Sequence, residues 1–247
     1  MKVGHDLSRI IKFATHEDWG EALHDALSDH VGAAMEEFNL EFDEIGDIVS
    51  EHYAGVLFGC ALEDLMTRRF EPDGENLVDE YLKRRGWNEA ARTKAYLRTL
   101  RDSAMSLYEV SDVTPGEGFF VRDLVRGGEP IRIREKSGSR TLRQWDRIAV
   151  RVVPERNGHV LSGVILPFTP EAAETLIEGL RIASGKRRKS TKIDIEVDTL
   201  ASIAHLFTTA WLGRVPRGGV GRFPREGGHR RSSGRVRMRT RTWRRRR

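Results

Sequence analysis

The feature that most constrains the fold is the stretch from residue 107 to 166, where apolar and polar side chains alternate with a period of two. Five short segments of this kind are separated by turn signals, of which Asn157-Gly158 is the clearest for a type I′ hairpin. Short antiparallel strands leave open edges, and proteins avoid open edges by closing the sheet. We therefore expect a small closed or nearly closed barrel of OB-like or SH3-like size.

Helical periodicity flanks the alternating stretch on both sides. On the C-terminal side, Thr169-Pro170-Glu171 is typical of a helix start, because proline fits the first helical position and an acid suits the first turn. Gly185 ends this helix, and a short strand at 192–197 and a last helix near 199–212 follow. On the N-terminal side, helices are predicted at 6–38 (with a break near Gly20), 44–69, 75–86 and 88–105.

The predicted fold class is therefore α+β, with an N-terminal helical subdomain, a small antiparallel β-barrel-like subdomain, C-terminal helices and a disordered Arg-rich tail. The predicted boundaries follow the change of period along the chain. They are 1–105 for the helical subdomain, 106–168 for the β subdomain, 169–212 for a helical segment with the basic linker 186–189, and 213–247 for the tail.

The positive charge is concentrated at the C-terminus. Residues 214–247 contain fourteen arginines, no lysine and the single acid Glu226, so this stretch carries +13. Because the whole chain carries +5, residues 1–213 carry −8. The tail has no helical or strand period and few aliphatic residues, so it cannot bury enough apolar surface to offset its ordering entropy.

Three interpretations of this tail stay open. It can be a nucleic-acid-binding arm, in which guanidinium groups contact phosphates and Phe223 and Trp243 stack on bases. Arginine, glycine, proline and serine without lysine are also what GC-rich DNA encodes when it is read out of frame. The third interpretation is a solvated segment without a function.

Several classes of protein are excluded by composition. The single cysteine, Cys60, rules out an internal disulfide and a multi-cysteine zinc site within one chain. The longest apolar run, Tyr53 to Leu62, is half of what a bilayer-spanning helix requires. The first residues lack the pattern of a signal peptide, so we expect a cytoplasmic protein without a membrane partner.

No catalytic or cofactor signature stands out, and we predict no cofactor and no metal. His16, His24 and His30 lie in an acidic stretch, and we expect them on a solvated helix face. Cys60 lies on an apolar stripe, two helical turns from His52, which predicts a buried, inert thiol rather than a nucleophile. The glycine pairs of the barrel lack the context of a phosphate-binding loop.

The best functional signal is a set of basic residues in the barrel, with Phe119, Phe120 and Trp145 interleaved among them. The basic residues are Arg122, Arg126, Arg132, Arg134, Lys136, Arg140, Arg143, Arg147 and Arg151. Small barrels bind single-stranded nucleic acid by combining a basic groove with stacking rings. The alternative is that alternating arginines mark the solvated face of the strands. The candidate phosphate contacts are Arg132, Arg134, Arg140 and Arg143, and the candidate stacking residue is Trp145.

The sequence thus favours a non-catalytic binding module whose partner is nucleic acid or another polyanion. One alternative is a protein–protein adaptor, suggested by the acidic helical half and by the closely spaced Gly55 and Gly59. A second alternative is an enzyme whose residues assemble only in the fold.

A family resemblance is carried by the central part of the chain. Ser106-Leu107-Tyr108-Glu109-Val110, the turn at 115–119, Val121 to Val125 and the segment 139–149 resemble an uncharacterised bacterial domain that occurs beside zinc-binding SEC-C motifs in some proteins. The resemblance covers roughly 60–180 and implies a bacterial, cytoplasmic protein, but no activity. The zinc motif needs several cysteines and is absent here.

Overall fold

The computed structural model describes residues 5–38, 42–185 and 195–213. The predicted tail from residue 214 onward, the basic linker 186–189 and the first part of the predicted strand 192–197 lie outside the described residues.

In the part of the chain that the structure describes, five α-helices precede the strands, as the helical periodicity predicts. The first helical stretch is interrupted at Thr15-His16 rather than at Gly20. Asn76 begins the fourth helix by accepting backbone N–H groups of Val78 and Asp79 on its side-chain oxygen. The helices are α1 (Ser8–Ala14), α2 (Glu17–Phe38), α3 (Phe42–Thr67), α4 (Leu77–Arg85) and α5 (Ala91–Arg101).

The strands form a closed barrel in the order β1-β2-β3-β5-β4-β1, with a sixth strand added to β4. The β3–β5 pairing is parallel and the other pairings are antiparallel. A short helix, α6 (Gly138–Thr141), connects β3 to β4. The strands are β1 (Met105–Thr114), β2 (Gly118–Asp123), β3 (Ile131–Ile133), β4 (Arg147–Glu155), β5 (Gly158–Leu161) and β6 (Leu166–Phe168).

This strand order and the short helix after β3 are those of an OB-type barrel, so the predicted α+β class with a small barrel is confirmed. The alternation of apolar and polar residues in the sequence determines which side chains fill the barrel interior. Ile133 of β3 and Ile148 and Val150 of β4 point inward, where they pack with Phe119 and Tyr108. The predicted second arm of the Asn157-Gly158 hairpin, 159–166, is divided between β5 and β6.

The opposite face of β4 is also buried, because helices cover it. Ala149 packs with the C-terminal helices, and Val153 packs in the core of the N-terminal helices. Arg151 lies between them and is fully buried. Met105 and Leu107 of β1, which pair with Arg151 and Ala149, join the same covered surface. The helices therefore cover the outside of the barrel along β4 and the start of β1.

Within the described residues, three helices follow the barrel: α7 (Pro170–Ala183), α8 (Val197–Ser202) and α9 (His205–Leu212). Thr169 caps α7 and Pro170 takes its first position, as the sequence predicts. The predicted single last helix is two helices, interrupted at Ile203-Ala204. Val197, predicted as the end of a strand, begins α8 instead. Among the described residues, no helix combines the length and the apolarity needed to cross a bilayer.

Gly59 allows a close approach by another segment of the same chain. A Cβ at this position would lie 2.6 Å from Cγ2 of Val164, in the segment between β5 and β6. Nothing lies within 4 Å of the corresponding position at Gly55. Of the two glycines that suggested an interaction surface, Gly59 therefore packs within this chain.

Gly118 is required by the β2–β3 pairing, and its replacement tests this. A Cβ on Gly118 would lie 2.1 Å from the carbonyl oxygen of Ile133. We expect Gly118→Ala to lower the free energy of unfolding by about 2–3 kcal/mol, since the strands must separate to relieve the overlap. Urea denaturation measures this change.

Gly179→Ala is the matched control, because this glycine lies inside α7 with nothing within 4 Å. Alanine there should raise the free energy of unfolding by about 0.5–1 kcal/mol through helix propensity alone. Equal effects of the two substitutions would contradict the contact at Gly118.

Candidate functional site

The outward side chains of β2 and β3 form a face of the barrel that the helices leave open. Phe120 of β2 pairs directly with Arg132 of β3, so their Cβ atoms lie about 5 Å apart on one face. Arg122 follows Phe120 by two residues and points the same way. Both arginines are exposed and Phe120 is half-buried. We call Phe120, Arg122 and Arg132 the β2–β3 face; it sets an aromatic ring beside two guanidinium groups.

The two arginines of this face are not engaged within the described part of the chain. Neither side chain has a hydrogen bond or an ion pair there. Glu109 of β1 is opposite Arg122 in register, yet these two side chains form no ion pair. An unengaged guanidinium keeps its five N–H donors, so it can bind phosphate oxygens without first breaking an internal contact.

Trp145 lies at the β1 edge of this face, in the turn before β4. Its backbone N–H donates to the carbonyl of Val110 at 2.9 Å, and the N–H of Arg143 donates to the carboxylate of Asp146 at 2.7 Å. Trp145 has φ of +73°, a left-handed conformation that costs a non-glycine residue about 1–2 kcal/mol. The side chain is 66% exposed, so core packing does not explain this strain.

Register places Trp145 and Arg132 on the same stretch of barrel wall. Val110, which binds the backbone of Trp145, pairs with Val121 of β2, and Val121 pairs with Ile131 of β3. Trp145 and Ile131, the neighbour of Arg132, are therefore three strand spacings of about 4.8 Å apart. The distance between them along the wall is about 14 Å.

The remaining predicted residues take different positions. Arg134 continues β3 and donates from Nη1 to the carbonyl of Asn157 in the β4–β5 turn, at 3.1 Å. Arg140 is exposed on α6, whose Gly138 lies close to the ring of Phe119 at one end of the barrel. Arg132 thus lies on β3 and Arg134 lies two residues further, just beyond the end of this strand, whereas Arg140 lies off the face at the barrel end. The binding role of all five predicted residues stays a prediction.

A second polar cluster was not predicted from the sequence and centres on the buried Arg151. Its Nη1 donates to the carbonyl of Ser103 at 2.9 Å. Its Nε lies 3.6 Å from Oε2 of Glu63, and its Nη2 lies 3.7 Å from Oδ1 of Asp64. Both acids are on α3, so this cluster joins the N-terminal helices to β4. The sequence interpretation placed Arg151 with the exposed basic residues of the barrel, which is wrong.

Asp64 connects Arg151 to α2 and to the surface. It accepts from Nε and Nη2 of Arg68 at 2.9 and 2.7 Å, and Arg68 also binds Asp29. Nε2 of His30 lies 3.5 Å from its carboxylate. Burial raises the pKa of Asp64, but the contact with His30 and the charges of Arg68 and Arg151 outweigh burial and hold the pKa below its usual value.

Burial dominates the pKa of two further groups of α3, Glu63 and Cys60. It raises the pKa of Glu63 to about 7, although the charge of Arg151 opposes this change. Burial, together with the charge of Glu63, raises the pKa of the Cys60 thiol far above its usual value. Cys60 is therefore the buried, unreactive thiol that the sequence predicts.

His30 is only 1% exposed, so the predicted solvated face is wrong for this histidine, while His16 and His24 are exposed. Its Nδ1 lies 2.9 Å from the hydroxyl of Thr208, a residue of α9. Thr208, His30 and Asp64 thus follow the hydroxyl–imidazole–carboxylate order of nucleophilic enzymes. However, Thr208 is fully buried and donates to the carbonyl of His205, so no substrate reaches its hydroxyl. The three side chains join helices rather than form an accessible site.

One cleft, of about 810 Å³, opens between α2, the end of α3 and α8. Its lining includes Arg68 and Arg101. Arg68 is held by two carboxylates, and Arg101 is held by Asp79 and Asp102. Because both arginines are already paired with carboxylates, the cleft shows no preference for a ligand of either charge.

A family described as a family of unknown function, DUF7986, matches residues 62–199, more than half of the chain. The chain belongs to DUF7986. The DUF7986 segment contains the whole barrel, and it begins one residue before Glu63 and Asp64. Both partners of the Glu63–Arg151 contact therefore lie inside the family segment, whereas His30 and Thr208 lie outside it.

No curated protein and no solved structure matches the chain. The expected membership of an uncharacterised family is confirmed by DUF7986. The association with SEC-C zinc motifs receives no support from this match and stays a prediction.

The pKa of Glu63 predicts how stability depends on pH. The folded protein keeps the proton of Glu63 up to a pKa of about 7, whereas the unfolded chain releases it near 4.5. The free energy of unfolding should therefore fall as pH rises from 4.5 to 7, by up to about 1.4 kcal/mol per pH unit from this group. Glu63→Gln removes this dependence, and urea denaturation at pH 5, 6 and 7 measures it.

The difference between the wild-type and Glu63→Gln curves isolates this proton, because the other groups titrate in both proteins. Glu71→Gln, a substitution of an exposed carboxylate, is the control and should leave the wild-type slope unchanged. Parallel curves for wild type and Glu63→Gln would contradict the raised pKa.

Proposed function

We propose that this protein is a non-catalytic binding module that holds single-stranded nucleic acid on the β2–β3 face of its barrel. The observation that carries this proposal is the pairing of Phe120 with Arg132, beside Arg122, on the part of the wall that the helices leave open. OB-type barrels bind oligonucleotides on this part of the wall. A fold alone does not specify a function, so the proposal depends on the chemistry of these side chains.

The arginines of the face supply the phosphate contacts. Arg122 and Arg132 are exposed and have no partner among the described residues, and Arg143 is also exposed at the Trp145 edge. Each neutralised phosphate releases counterions, so three contacts give a slope of log affinity against log salt of about −2 for a single strand.

The aromatic side chains supply sequence-tolerant stacking. Phe120 lies in the centre of the face, and Trp145 lies two strand spacings, or about 10 Å, away along the wall. Each stacked base contributes about 1–3 kcal/mol as measured by alanine substitution. Two rings at this separation hold two points of one strand, with the arginines placed to contact the backbone between and beside them.

The first test is the affinity of the full chain for a fluorescent single strand at low salt, measured by anisotropy. Phe120→Ala should weaken binding about 5- to 150-fold, the range of one lost stacking contact. Arg132→Gln should weaken binding and make the salt slope shallower by about 0.7, because one phosphate contact is lost.

Two controls separate the face from other basic parts of the chain. Arg85→Gln removes an exposed arginine at the end of α4 and should leave the affinity within about twofold. Replacing Arg244 to Arg247 by alanine tests the tail. If these tail replacements abolish binding while Phe120→Ala and Arg132→Gln have no effect, the barrel is not the binding site.

The strained backbone at Trp145 gives a second test, which separates binding from folding. Trp145→Gly removes the ring and relieves the left-handed conformation, so we expect weaker binding and a free energy of unfolding that is unchanged or up to about 1 kcal/mol higher. Trp145→Ala should weaken binding equally but keep the strain. A large loss of stability in Trp145→Gly, seen by urea denaturation, would show that the indole serves the fold instead.

A further inference from the structure

A second cleft, of about 750 Å³, opens between the barrel and the N-terminal helices. One wall is α5, which contributes Arg92, Ala95 and Thr99. The other wall is the β4–β5 turn with the strand residues that adjoin it, 154–158, together with Arg134. Its volume is within the range of about 300–1,000 Å³ that is typical of ligand-binding clefts.

The charged side chains of this cleft are mainly basic. Arg92, Arg134 and Arg156 line it, and Glu155 is its acid. Glu155 is already bound by His5 and lies 3.3 Å from Nη2 of Arg92. Burial raises the pKa of Glu155, but the hydrogen bond from His5 and the charge of Arg92 outweigh it and lower the pKa. The carboxylate thus offsets one cation, and the cleft keeps an excess of positive charge.

The inner surface of the cleft is formed by small residues and by one tightly packed aromatic ring. Ala95, Thr99 and Gly158 leave room between the two walls. Tyr96 is almost fully buried and stacks on His5, with ring centroids 4.0 Å apart. Because this ring is packed against His5, it is not available for stacking on a base. Exposed cations over small residues favour a phosphodiester backbone rather than a nucleobase.

Arg134 connects this cleft to the β2–β3 face. It follows Arg132 by two residues on the same side of β3, about 7 Å further along the strand. Its side chain lies against Gly158, and one guanidinium N–H donates to Asn157. The other N–H groups of this guanidinium remain available, since arginine carries five. Basic side chains therefore continue from Arg132 through Arg134 into the cleft.

We infer that a strand bound on the β2–β3 face continues into the cleft between α5 and the β4–β5 turn, where Arg92, Arg134 and Arg156 contact its phosphates. This inference rests on the proposed function and extends the site from the barrel onto the N-terminal helices. A short strand then occupies the face alone, and a longer strand occupies both the face and the cleft.

The test compares the affinity of the full chain for oligothymidylates of about 5 and about 15 nucleotides, within the range of sites found on OB barrels. Arg92→Gln combined with Arg156→Gln should weaken the long strand about tenfold and leave the short strand within about twofold. The salt slope for the long strand should become shallower by about 1.4, because two phosphate contacts are lost. Phe120→Ala should weaken both strands.

Arg98→Gln is the matched control, because Arg98 is exposed on the same helix but does not line the cleft. It should leave both affinities within about twofold. The double variant also removes the Arg92–Glu155 contact, and this loss can disturb the fold. Arg156→Gln alone avoids this effect, because Arg156 has no partner among the described residues. This single substitution should still weaken the long strand selectively.

The outcomes distinguish this inference from the proposed function. If Phe120→Ala weakens both strands while the double variant weakens neither, or weakens both equally, the cleft does not bind the strand and the face still does. If Phe120→Ala has no effect, the proposed function fails and this inference fails with it. If the double variant loses only the binding of inorganic phosphate, measured by calorimetry, the cleft is a site for a small phosphate compound and the strand extension is wrong.

Discussion

The burial of one guanidinium group determines how the two halves of this molecule are joined. Arg151 is on the outward side of β4, where a cover of helices removes it from water. A buried cation is tolerated only when acids lie beside it. Asp64 of α3 lies 3.7 Å from the guanidinium, and Glu63, whose pKa burial raises to about 7, lies 3.6 Å from it. The carbonyl of Ser103 accepts a hydrogen bond from Nη1. Apolar burial favours many ways of placing helices on a barrel, but this charge restricts α3 to one of them.

That restriction also determines which part of the barrel stays open to a partner. The helices occupy the outside of β4 and the start of β1, so the outward side chains of β2 and β3 lie at the surface. The same arrangement brings α5 beside the β4–β5 turn and forms the cleft that Arg134 adjoins. The candidate site is therefore a consequence of where the buried ion pairs place the helices, although none of the buried charges belongs to it.

The sequence predicted the parts of this structure that depend on local pattern. Alternation placed Ile148 and Val150 inside the barrel correctly, and helical periodicity located the flanking helices. Local pattern did not predict the burial of a side chain when its partner is distant in the sequence. Arg151 and His30 have the spacing of solvated residues, yet both are buried, because their partners are Glu63 and Asp64 in one case and Thr208 in the other. Nothing in the period of a strand reveals an acid 88 residues earlier, at Glu63. The parallel β3–β5 pairing and the left-handed Trp145 likewise depend on the assembled barrel.

The two buried sides of β4 make this strand intolerant of insertions and deletions. In most barrels one side of a strand faces water, so a shift of one residue exchanges the apolar and polar sides of the strand. In β4 a shift of one residue would move the charge of Arg151 into the apolar barrel interior and leave Glu63 and Asp64 facing Val150 or Val152. Changes of chain length in this protein should therefore accumulate in the loops around β3 and β5 and not in β4.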